Sequence, residues 1–274
     1  MHTILVTGAS GQIGYELVRA LAPLGYVIAP ASAELNLADA DGLRDAVRDI
    51  APSVIVNAAA YTNVDRAEVD RECCFAINAR APGTLAEEAQ RLGAAMVHYS
   101  TDYVFDGTKR TPYTEDDAPC PANVYGASKL VGEQAVARVG GGYLIFRTSW
   151  IYGARGTNFL RTIRRLARER RELKVVDDQV GSPTWSRAVA EATAVALGKL
   201  LRSGDVPAES VARASGVYHV TASGSTTWYD FARAIVDAER KNGEIACERI
   251  VPLTTAEDGA PATRPLFSAL DNAK

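Results

Sequence analysis

The sequence predicts an α/β fold in which a doubly wound parallel sheet carries a smaller C-terminal lobe. In the first half of the chain, short aliphatic and β-branched runs alternate with segments of helical periodicity, which is typical of βαβ units. The runs are apolar throughout instead of alternating with polar residues, as in a sheet that helices cover on both faces. A glycine-rich turn also joins the first run to the first helical segment. These three observations predict a sheet of the Rossmann type.

The elements of the first half follow one another in βα order. Strands are predicted at His2–Val6, Tyr26–Ala29, Val54–Asn57, Ala95–Ser100 and Tyr143–Thr148. Helices are predicted between them, at Gln12–Leu24, Asp39–Ile50, Arg71–Leu92 and Val124–Val139. Pro82 lies inside the third of these helices, where its missing N–H is expected to kink or restart the helix.

The second half is less regular, and its elements alternate less clearly. Helices are predicted at Thr157–Arg170, Ser186–Leu201 and Thr226–Arg240, and strands at Leu173–Val176 and Gly216–Val220. Thr226 or Ser225 is expected to cap the last of these helices. After Ile250 the chain is rich in Pro, Thr and Ala, and no closing element is predicted there.

Composition limits the kind of partner. The 274 residues include 30 Lys and Arg and 33 Asp and Glu, a net charge of −3, so nucleic acid is not expected as a partner, because phosphate-backbone binding needs a cationic surface. No run approaches the length of a membrane span and no secretory leader is evident, so we expect a cytoplasmic protein without a membrane partner. The four cysteines, Cys73, Cys74, Cys120 and Cys247, form no CxxC motif and are expected to be reduced thiols.

The turn after the first strand reads TGASGQIG, from Thr7 to Gly14. Its glycines, Gly8, Gly11 and Gly14, follow a GxxGxxG spacing, which is one residue longer at the first gap than the GxGxxG dinucleotide motif. Glycines let the backbone approach a diphosphate closely, and the following helix presents its free N–H groups and positive dipole end. We therefore predict a dinucleotide site here. The segment APASAE after the second strand holds neither an acid nor an arginine at the expected place, so the choice between NAD and NADP stays open.

Tyr125 and Lys129 are four residues apart near the start of a predicted helix, which places both side chains on one helical face. A phenol has a pKa of about 10 and is a poor acid or base at neutral pH, and a neighbouring ammonium is expected to lower that pKa. Thr101 follows the fourth strand, at the carboxyl edge of the sheet, where ligands bind. Together the three residues predict a site for general acid–base chemistry.

Further segments carry a likeness to a known family over nearly the whole chain. They are VNAAAYT (56–62), followed by Val64 and Asp65, HYSTDYVFDG (98–107), NVYGASK (123–129), FRTSWIY (146–152), DQVGSPT (178–184), TTW (226–228) and PATRP (261–265). With the glycine turn, these segments resemble the extended branch of the short-chain dehydrogenase/reductase superfamily, which works on nucleotide sugars. The segments at 98–107 and 146–152 narrow the resemblance to the dTDP-4-dehydrorhamnose reductases.

The resemblance implies a role for each motif residue. Tyr125 is the proton donor, Lys129 holds the nicotinamide ribose and tunes the phenol, and Thr101 completes the catalytic group. Thr101, Asp102 and Trp150 are expected to contact the sugar. The cofactor-binding residues, including the turn glycines, are expected to be Gly8, Gly11, Gln12, Ile13, Gly14, Asn36, Leu37, Ala60, Tyr61, Thr62, Tyr125 and Lys129.

By the same likeness, a hydride passes from NADPH or NADH to the C4 keto group of dTDP-4-dehydro-L-rhamnose, and dTDP-L-rhamnose is formed. Residues 1–150 are then mainly the NAD(P)-binding Rossmann domain. Residues 151–274 are mainly the substrate lobe, with some segments able to return to the Rossmann domain.

The resemblance also bears on assembly, since it implies that the protein can form a homodimer. It further implies that a helix follows Lys274. Some relatives dimerise through a magnesium ion that glutamates hold. Glu16 matches one of these ligands, but Arg187 stands where the second is expected, so no metal site is predicted.

Two other functions stay open at this point. A non-catalytic NADP-binding regulatory subunit, like that of methionine adenosyltransferase, has the same fold. An epimerase or dehydratase of nucleotide sugars is the other, although a dehydratase is expected to carry an acidic pair after the catalytic Thr, and here Asp102 is followed by Tyr103. His98, in an apolar strand, is interpreted as a core histidine, and Trp150 without the resemblance would be interpreted as core packing.

Overall fold

The computed structural model describes residues 2–201, 205–243 and 245–274, and within these ranges strands and helices alternate along most of the chain. The strands are β1 (His2–Thr7), β2 (Gly25–Ile28), β3 (Val54–Asn57), β4 (Ala95–Thr101), β5 (Tyr143–Thr148), β6 (Ile151–Tyr152), β7 (Glu172–Val176), β8 (Val180–Gly181), β9 (Thr184–Trp185), β10 (Gly216–His219), β11 (Thr226–Thr227) and β12 (Arg249–Leu253). The helices are α1 (Gln12–Leu21), α2 (Ala40–Ile50), α3 (Val64–Ala67), α4 (Arg71–Phe75), α5 (Ala81–Leu92), α6 (Val124–Val139), α7 (Phe159–Glu169), α8 (Ser186–Leu200), α9 (Pro207–Ala212), α10 (Trp228–Asn242) and α11 (Thr255–Asp258). None of the helices in those ranges is long and apolar enough to cross a membrane.

Six strands form one parallel sheet in the order β2–β1–β3–β4–β5–β10. The chain first lays β2 on one side of β1 and then crosses over to lay β3 on the other side. The carboxyl ends of β1 and β3 therefore border a crevice of the kind in which open α/β sheets bind ligands. The predicted doubly wound sheet of Rossmann type is confirmed.

Helices cover both faces of this sheet, which explains why its strands are apolar throughout. Ile4 and Val6 of β1 face a core that α1, α8 and α9 complete, whereas Leu5 faces a core formed with α2, α5 and α6. We call the six-stranded sheet and the helices on its two faces the large sheet unit. Because α8, α9 and β10 come from the second half of the chain, that half contributes to the large sheet unit as well as to the smaller lobe.

The smaller lobe has its own core between α7, α10 and the parallel pair β7–β12. The short pairs β8–β11 and β6–β9 lie beside it. No element was predicted after Ile250, yet β12 spans that point, and the chain then returns to the large unit. Leu270 bridges to Tyr113, and the Arg264 guanidinium bonds both oxygens of Asp65 at 2.7 and 2.8 Å.

Two local expectations can be compared with the structure. The cap of α10 is Thr227, whose hydroxyl accepts the Asp230 N–H at 3.0 Å, and the expectation of Thr226 or Ser225 was wrong. The reason is that Thr226 and Thr227 first pair with β8 as a strand. The helical stretch around Pro82 restarts there, as expected. A π-helical turn at Ala76–Arg80 precedes α5, which begins at Ala81, because Pro82 has no N–H for the carbonyl one turn earlier.

An ion pair between Arg147 of β5 and Glu133 of α6 lies inside the fold. The two nitrogen–oxygen distances are 2.9 and 2.7 Å, and the side chains are 4% and 5% exposed. This pair anchors α6, the helix that carries Tyr125 and Lys129, to β5 of the large sheet.

Glu133→Ala is expected to lower the free energy of unfolding by about 3–5 kcal/mol, because it leaves the Arg147 charge unpaired in the interior. Glu169 is the matched control, since its ion pair with Arg165 is more than half exposed, and its replacement by Ala should cost less than about 1 kcal/mol. Urea unfolding at neutral pH measures both variants. Equal losses in the two would contradict the assigned role of the buried pair.

Candidate active site

A cavity of about 620 Å³ opens at the carboxyl ends of β1, β3, β4 and β5. Its walls are the glycine turn, the loop after β3, the start of α6 and the segment from β5 to β6. A second cavity of about 190 Å³ shares part of this wall and extends toward the end of β2. The two together form an elongated cleft that leads from the end of β2, across the glycine turn, to Tyr125.

The glycine turn is shaped by close backbone contacts. Gly8 has a φ of +71°, and a Cβ on it would lie 2.6 Å from the Cα of Ala59. A Cβ on Gly14 would lie 2.1 Å from the Gly8 carbonyl oxygen. Gly11 is the N-cap of α1, and no side chain of the described residues caps the helix there. The turn therefore offers backbone N–H groups to an anion without side chains in the way, and it fits the diphosphate of a dinucleotide.

The loop after β3 is held by an asparagine that the sequence analysis did not single out. The Asn78 side chain accepts the Tyr61 N–H at 2.8 Å and donates to the Tyr61 carbonyl at 3.0 Å. Asn78 is fully buried in the π-helical turn. The signal in the sequence was an asparagine inside the otherwise apolar run FAINA (75–79).

Most of the predicted cofactor residues line the cleft, but two do not. Gly8, Gly11, Gln12, Ile13, Ala60, Thr62, Tyr125 and Lys129 line the larger cavity, and Asn36 and Leu37 line the smaller one. Gly14 instead packs against the carbonyl group of Gly8, behind the turn. The Tyr61 hydroxyl donates to Asp70 at 3.1 Å. The backbone turn hides Gly14, and Asp70 holds the Tyr61 hydroxyl away from the cleft. Their part in binding the cofactor stays a prediction.

Thr101, Tyr125 and Lys129 all line the larger cavity. The helix α6 begins directly before Tyr125, because the Asn123 side chain accepts the Gly126 N–H at 2.8 Å. A Cβ on Gly126 would lie 2.1 Å from a backbone oxygen of the turn after β4, so the helix packs tightly against that turn. The structure thus brings the three predicted catalytic residues together.

The Lys129 amine is buried and held from inside the protein. Its Nζ donates to the Tyr99 carbonyl at 2.5 Å and lies 3.4 Å from Nε2 of His98. Burial lowers the pKa of Lys129 to about 8, and the charge of Glu133 opposes the shift. Burial and the nearby Lys129 charge hold the pKa of His98 well below its ordinary value, so this ring is neutral. His98 is a core histidine, as interpreted, and its Nδ1 meets the Asn57 amide at 3.1 Å.

The pKa of Tyr125 moves opposite to the expected direction. Burial raises it above the ordinary value for a phenol, and the nearby Thr101 hydroxyl opposes the shift. The expected lowering by Lys129 is not seen, because that amine bonds Tyr99 and contacts His98. The phenol is therefore protonated at neutral pH, which is the form that can give up a proton.

Asp102 and Trp150 line the cavity beside the catalytic group. Asp102 is 2% exposed and accepts the Thr101 hydroxyl at 3.1 Å. Burial raises the pKa of Asp102 to about 7, and hydrogen bonds from the Ser268 and Thr101 hydroxyls oppose the rise. Trp150 has the unusual φ of +46° for a residue with a side chain. It faces the cleft, so it is not simple core packing.

Glu16 and Arg187 lie outside the cleft. They occupy the positions at which some relatives are expected to bind magnesium. The Arg187 guanidinium lies 4.0 Å from Glu16 and 3.3 Å from Glu191. Among the side chains that the structure describes, no three His, Cys, Asp or Glu groups come together as a metal site.

Comparisons with known proteins agree with this geometry. A family model described as "RmlD substrate binding domain" matches residues 1–274. The chain is 52% identical over 272 residues to the dTDP-4-dehydrorhamnose reductase of Burkholderia thailandensis, covering 98% of this chain and 90% of that protein. It is 44% identical over 276 residues to the reductase of the same name from Escherichia coli strain K12, covering 99% and 90%.

A solved structure is similar over the same length. The crystal structure of dTDP-4-dehydrorhamnose reductase from Bacillus anthracis in complex with NADP superposes with a TM-score of 0.87 at 37% identity. The match covers 99% of this chain and 90% of that one. The resemblance predicted from the motifs is confirmed.

Asp102→Asn is expected to change the pH dependence of stability. Because burial raises the pKa of Asp102 from 3.8 to about 7, the folded state binds more protons than the unfolded state between these values. The contribution of Asp102 to stability therefore falls as the pH rises through this window. Relative to the wild type, the Asn variant should gain on the order of 2–4 kcal/mol between about pH 4 and about pH 8, measured by urea unfolding.

Asp106→Asn serves as a control of opposite sign. Hydrogen bonds from the Thr108 N–H and the Tyr113 hydroxyl lower the pKa of Asp106, so its contribution to stability grows with pH. The Asn variant at this position should lose stability relative to the wild type as the pH rises toward the ordinary value of 3.8, and should change little between about pH 4 and about pH 8. A flat difference for Asp102→Asn across the window would rule out the raised pKa.

Proposed function

The chain belongs to the family of the RmlD substrate binding domain, and on that premise we propose that it reduces dTDP-4-dehydro-L-rhamnose to dTDP-L-rhamnose with NADPH or NADH. One observation carries the proposal: Thr101, Tyr125 and Lys129 line one cavity whose far end is a glycine turn fitted to a diphosphate. A binding module would need the turn, but it would have no use for a buried phenol and a buried amine beside it.

The proposed cofactor site uses the length of the cleft. The N–H groups at the start of α1 hold the diphosphate, and the smaller cavity takes the adenosine half. The described lining of the smaller cavity includes Ser32 and Asn36 but no acidic or basic side chain. This neutral lining supports the use of both NADH and NADPH, because nothing there repels a 2′-phosphate and nothing pairs with it. Lys129 reaches the larger cavity, where the nicotinamide ribose is expected.

The bound reduced nicotinamide supplies a hydride to the C4 carbon of the sugar. Tyr125 donates its phenolic proton to the C4 oxygen, so that the carbonyl becomes a hydroxyl. The raised pKa of Tyr125 keeps the phenol protonated until the substrate oxygen takes the proton. Thr101 steadies the same oxygen, and Lys129 holds the nicotinamide ribose.

The proposed sugar contacts are Thr101, Asp102 and Trp150, which line the same cavity as Tyr125. Tyr103, not a second acid, follows Asp102, which argues against a dehydratase. The homodimer and the cytoplasmic location stay predictions, as does the division into a Rossmann domain at 1–150 and a substrate lobe at 151–274.

A direct spectrophotometric assay tests the function. Purified protein, NADPH and dTDP-4-dehydro-L-rhamnose are mixed, and the absorbance of the reduced nicotinamide is followed, with NADH in a parallel series. We expect the absorbance to fall and dTDP-L-rhamnose to appear. Tight NADPH binding without oxidation would overturn the proposal and favour the non-catalytic regulatory subunit.

Tyr125→Phe is expected to lower kcat by at least about 100-fold, because it removes the proton donor and leaves the ring in place. The affinity for NADPH, measured by fluorescence titration, should stay within about twofold, since the change deletes one oxygen atom. Tyr143→Phe is the matched control, because Tyr143 begins β5 at the end of the strand away from the cleft. Full turnover in Tyr125→Phe would exclude this phenol as the donor.

A further inference from the structure

The backbone at Trp150 is held in a conformation that few residues adopt. Its φ of +46° lies in the left-handed region, where a Cβ meets the neighbouring carbonyl. Such a residue persists only when its surroundings hold it in place. The neighbours of Trp150 therefore decide where its indole stands in the cleft.

Trp228 covers the indole of Trp150. The two rings are stacked with centroids 3.5 Å apart and planes 3° from parallel. Trp228 is the first residue of α10, and Phe159 packs beside it with ring centroids at 4.5 Å. The cap residue Thr227 donates to Asp177 at 2.8 Å, which ties the start of this helix to the end of β7. The stack thus joins the cleft to the core of the smaller lobe.

Gly181 closes the space around the same indole. A Cβ at Gly181 would lie 2.3 Å from Cε2 of Trp150, so no side chain fits there. Gly181 pairs in β8 with Thr226 of β11, and that strand leads directly into Trp228. One short strand pair therefore positions both neighbours of the indole.

Trp150 lines the larger cavity, whereas Trp228 and Gly181 do not. We propose that Trp228 is a positioning residue for the nucleotide sugar, which it does not touch, because it holds the Trp150 indole in the orientation that the sugar meets. An aromatic ring that is already ordered loses little conformational freedom when the ligand binds. The inference rests on the proposed function, since it takes Trp150 as a contact of the nucleotide sugar.

The kinetic test compares two changes at one position. Trp228→Leu removes the ring and is expected to raise KM for dTDP-4-dehydro-L-rhamnose about tenfold, with kcat and NADPH affinity within about twofold of the wild type. Trp228→Phe keeps an aromatic face and should recover most of the loss. Trp185→Phe is the control, because Trp185 is 44% exposed and lies outside the stack.

A spectroscopic arm needs no turnover. The chain has three tryptophans, so Trp185→Phe combined with Trp228→Leu or with Trp228→Phe leaves Trp150 as the single emitter. In the protein with Leu at position 228, acrylamide should quench the fluorescence of Trp150 more strongly than in the protein with Phe there. The fluorescence anisotropy of Trp150 should also be lower in the Leu protein. Titration with dTDP-L-rhamnose should protect Trp150 from acrylamide in the Phe protein at lower concentration than in the Leu protein.

The outcomes separate the two proposals. An unchanged KM in Trp228→Leu, a parallel loss of kcat and NADPH affinity, or equal quenching of Trp150 in the two single-tryptophan proteins would each overturn the positioning role. A wild-type protein that binds dTDP-L-rhamnose but never oxidises NADPH would overturn the proposed function alone, because the quenching and titration results would still stand.

Discussion

The buried amine of Lys129 is the constraint on which the rest of the site depends. Its Nζ donates to the Tyr99 carbonyl and lies against His98, so the helix that carries it cannot shift along β4. The polar contacts continue inward, from His98 to Asn57 at 3.1 Å and from Asn57 to the Thr7 hydroxyl at 2.6 Å. Thr7 is the last residue of β1, directly before the glycine turn. One buried row of polar groups across β4, β3 and β1 therefore ties the acid–base end of the cleft to its diphosphate end.

Burial is also the common cause of the shifted pKa values at this end of the cleft. It raises the pKa values of Tyr125 and Asp102 and lowers that of Lys129, because each charged form loses hydration. The phenol of Tyr125 is protonated at neutral pH, which is the form that donates a proton. The same burial lowers the stability of the fold, and the buried pair of Arg147 and Glu133 helps to hold α6 in place.

The smaller lobe completes the cleft through contacts that cross between the two halves of the chain. Asn158, the N-cap of α7, donates to the Gln12 side chain at 2.8 Å, next to the glycine turn. Arg264 bonds Asp65 after β3, and Trp228 stacks on Trp150 after β5. The smaller lobe thus meets the large sheet unit at the loops that line the cleft, which are the places where the position of a side chain affects ligand binding.

The amino-acid sequence by itself determined the parallel sheet, the glycine turn and the shared helical face of Tyr125 and Lys129, because strand apolarity, turn glycines and an i, i+4 spacing are local properties. Tertiary structure alone decided the partners of Lys129, the hidden place of Gly14, the role of Asn78 and the stack of Trp150 on Trp228. Each of these depends on residues far apart in the chain, such as 150 and 228, which only packing brings together. Burial, which reversed the expected pKa shift of Tyr125, is likewise a property of the packed molecule and not of any segment of it.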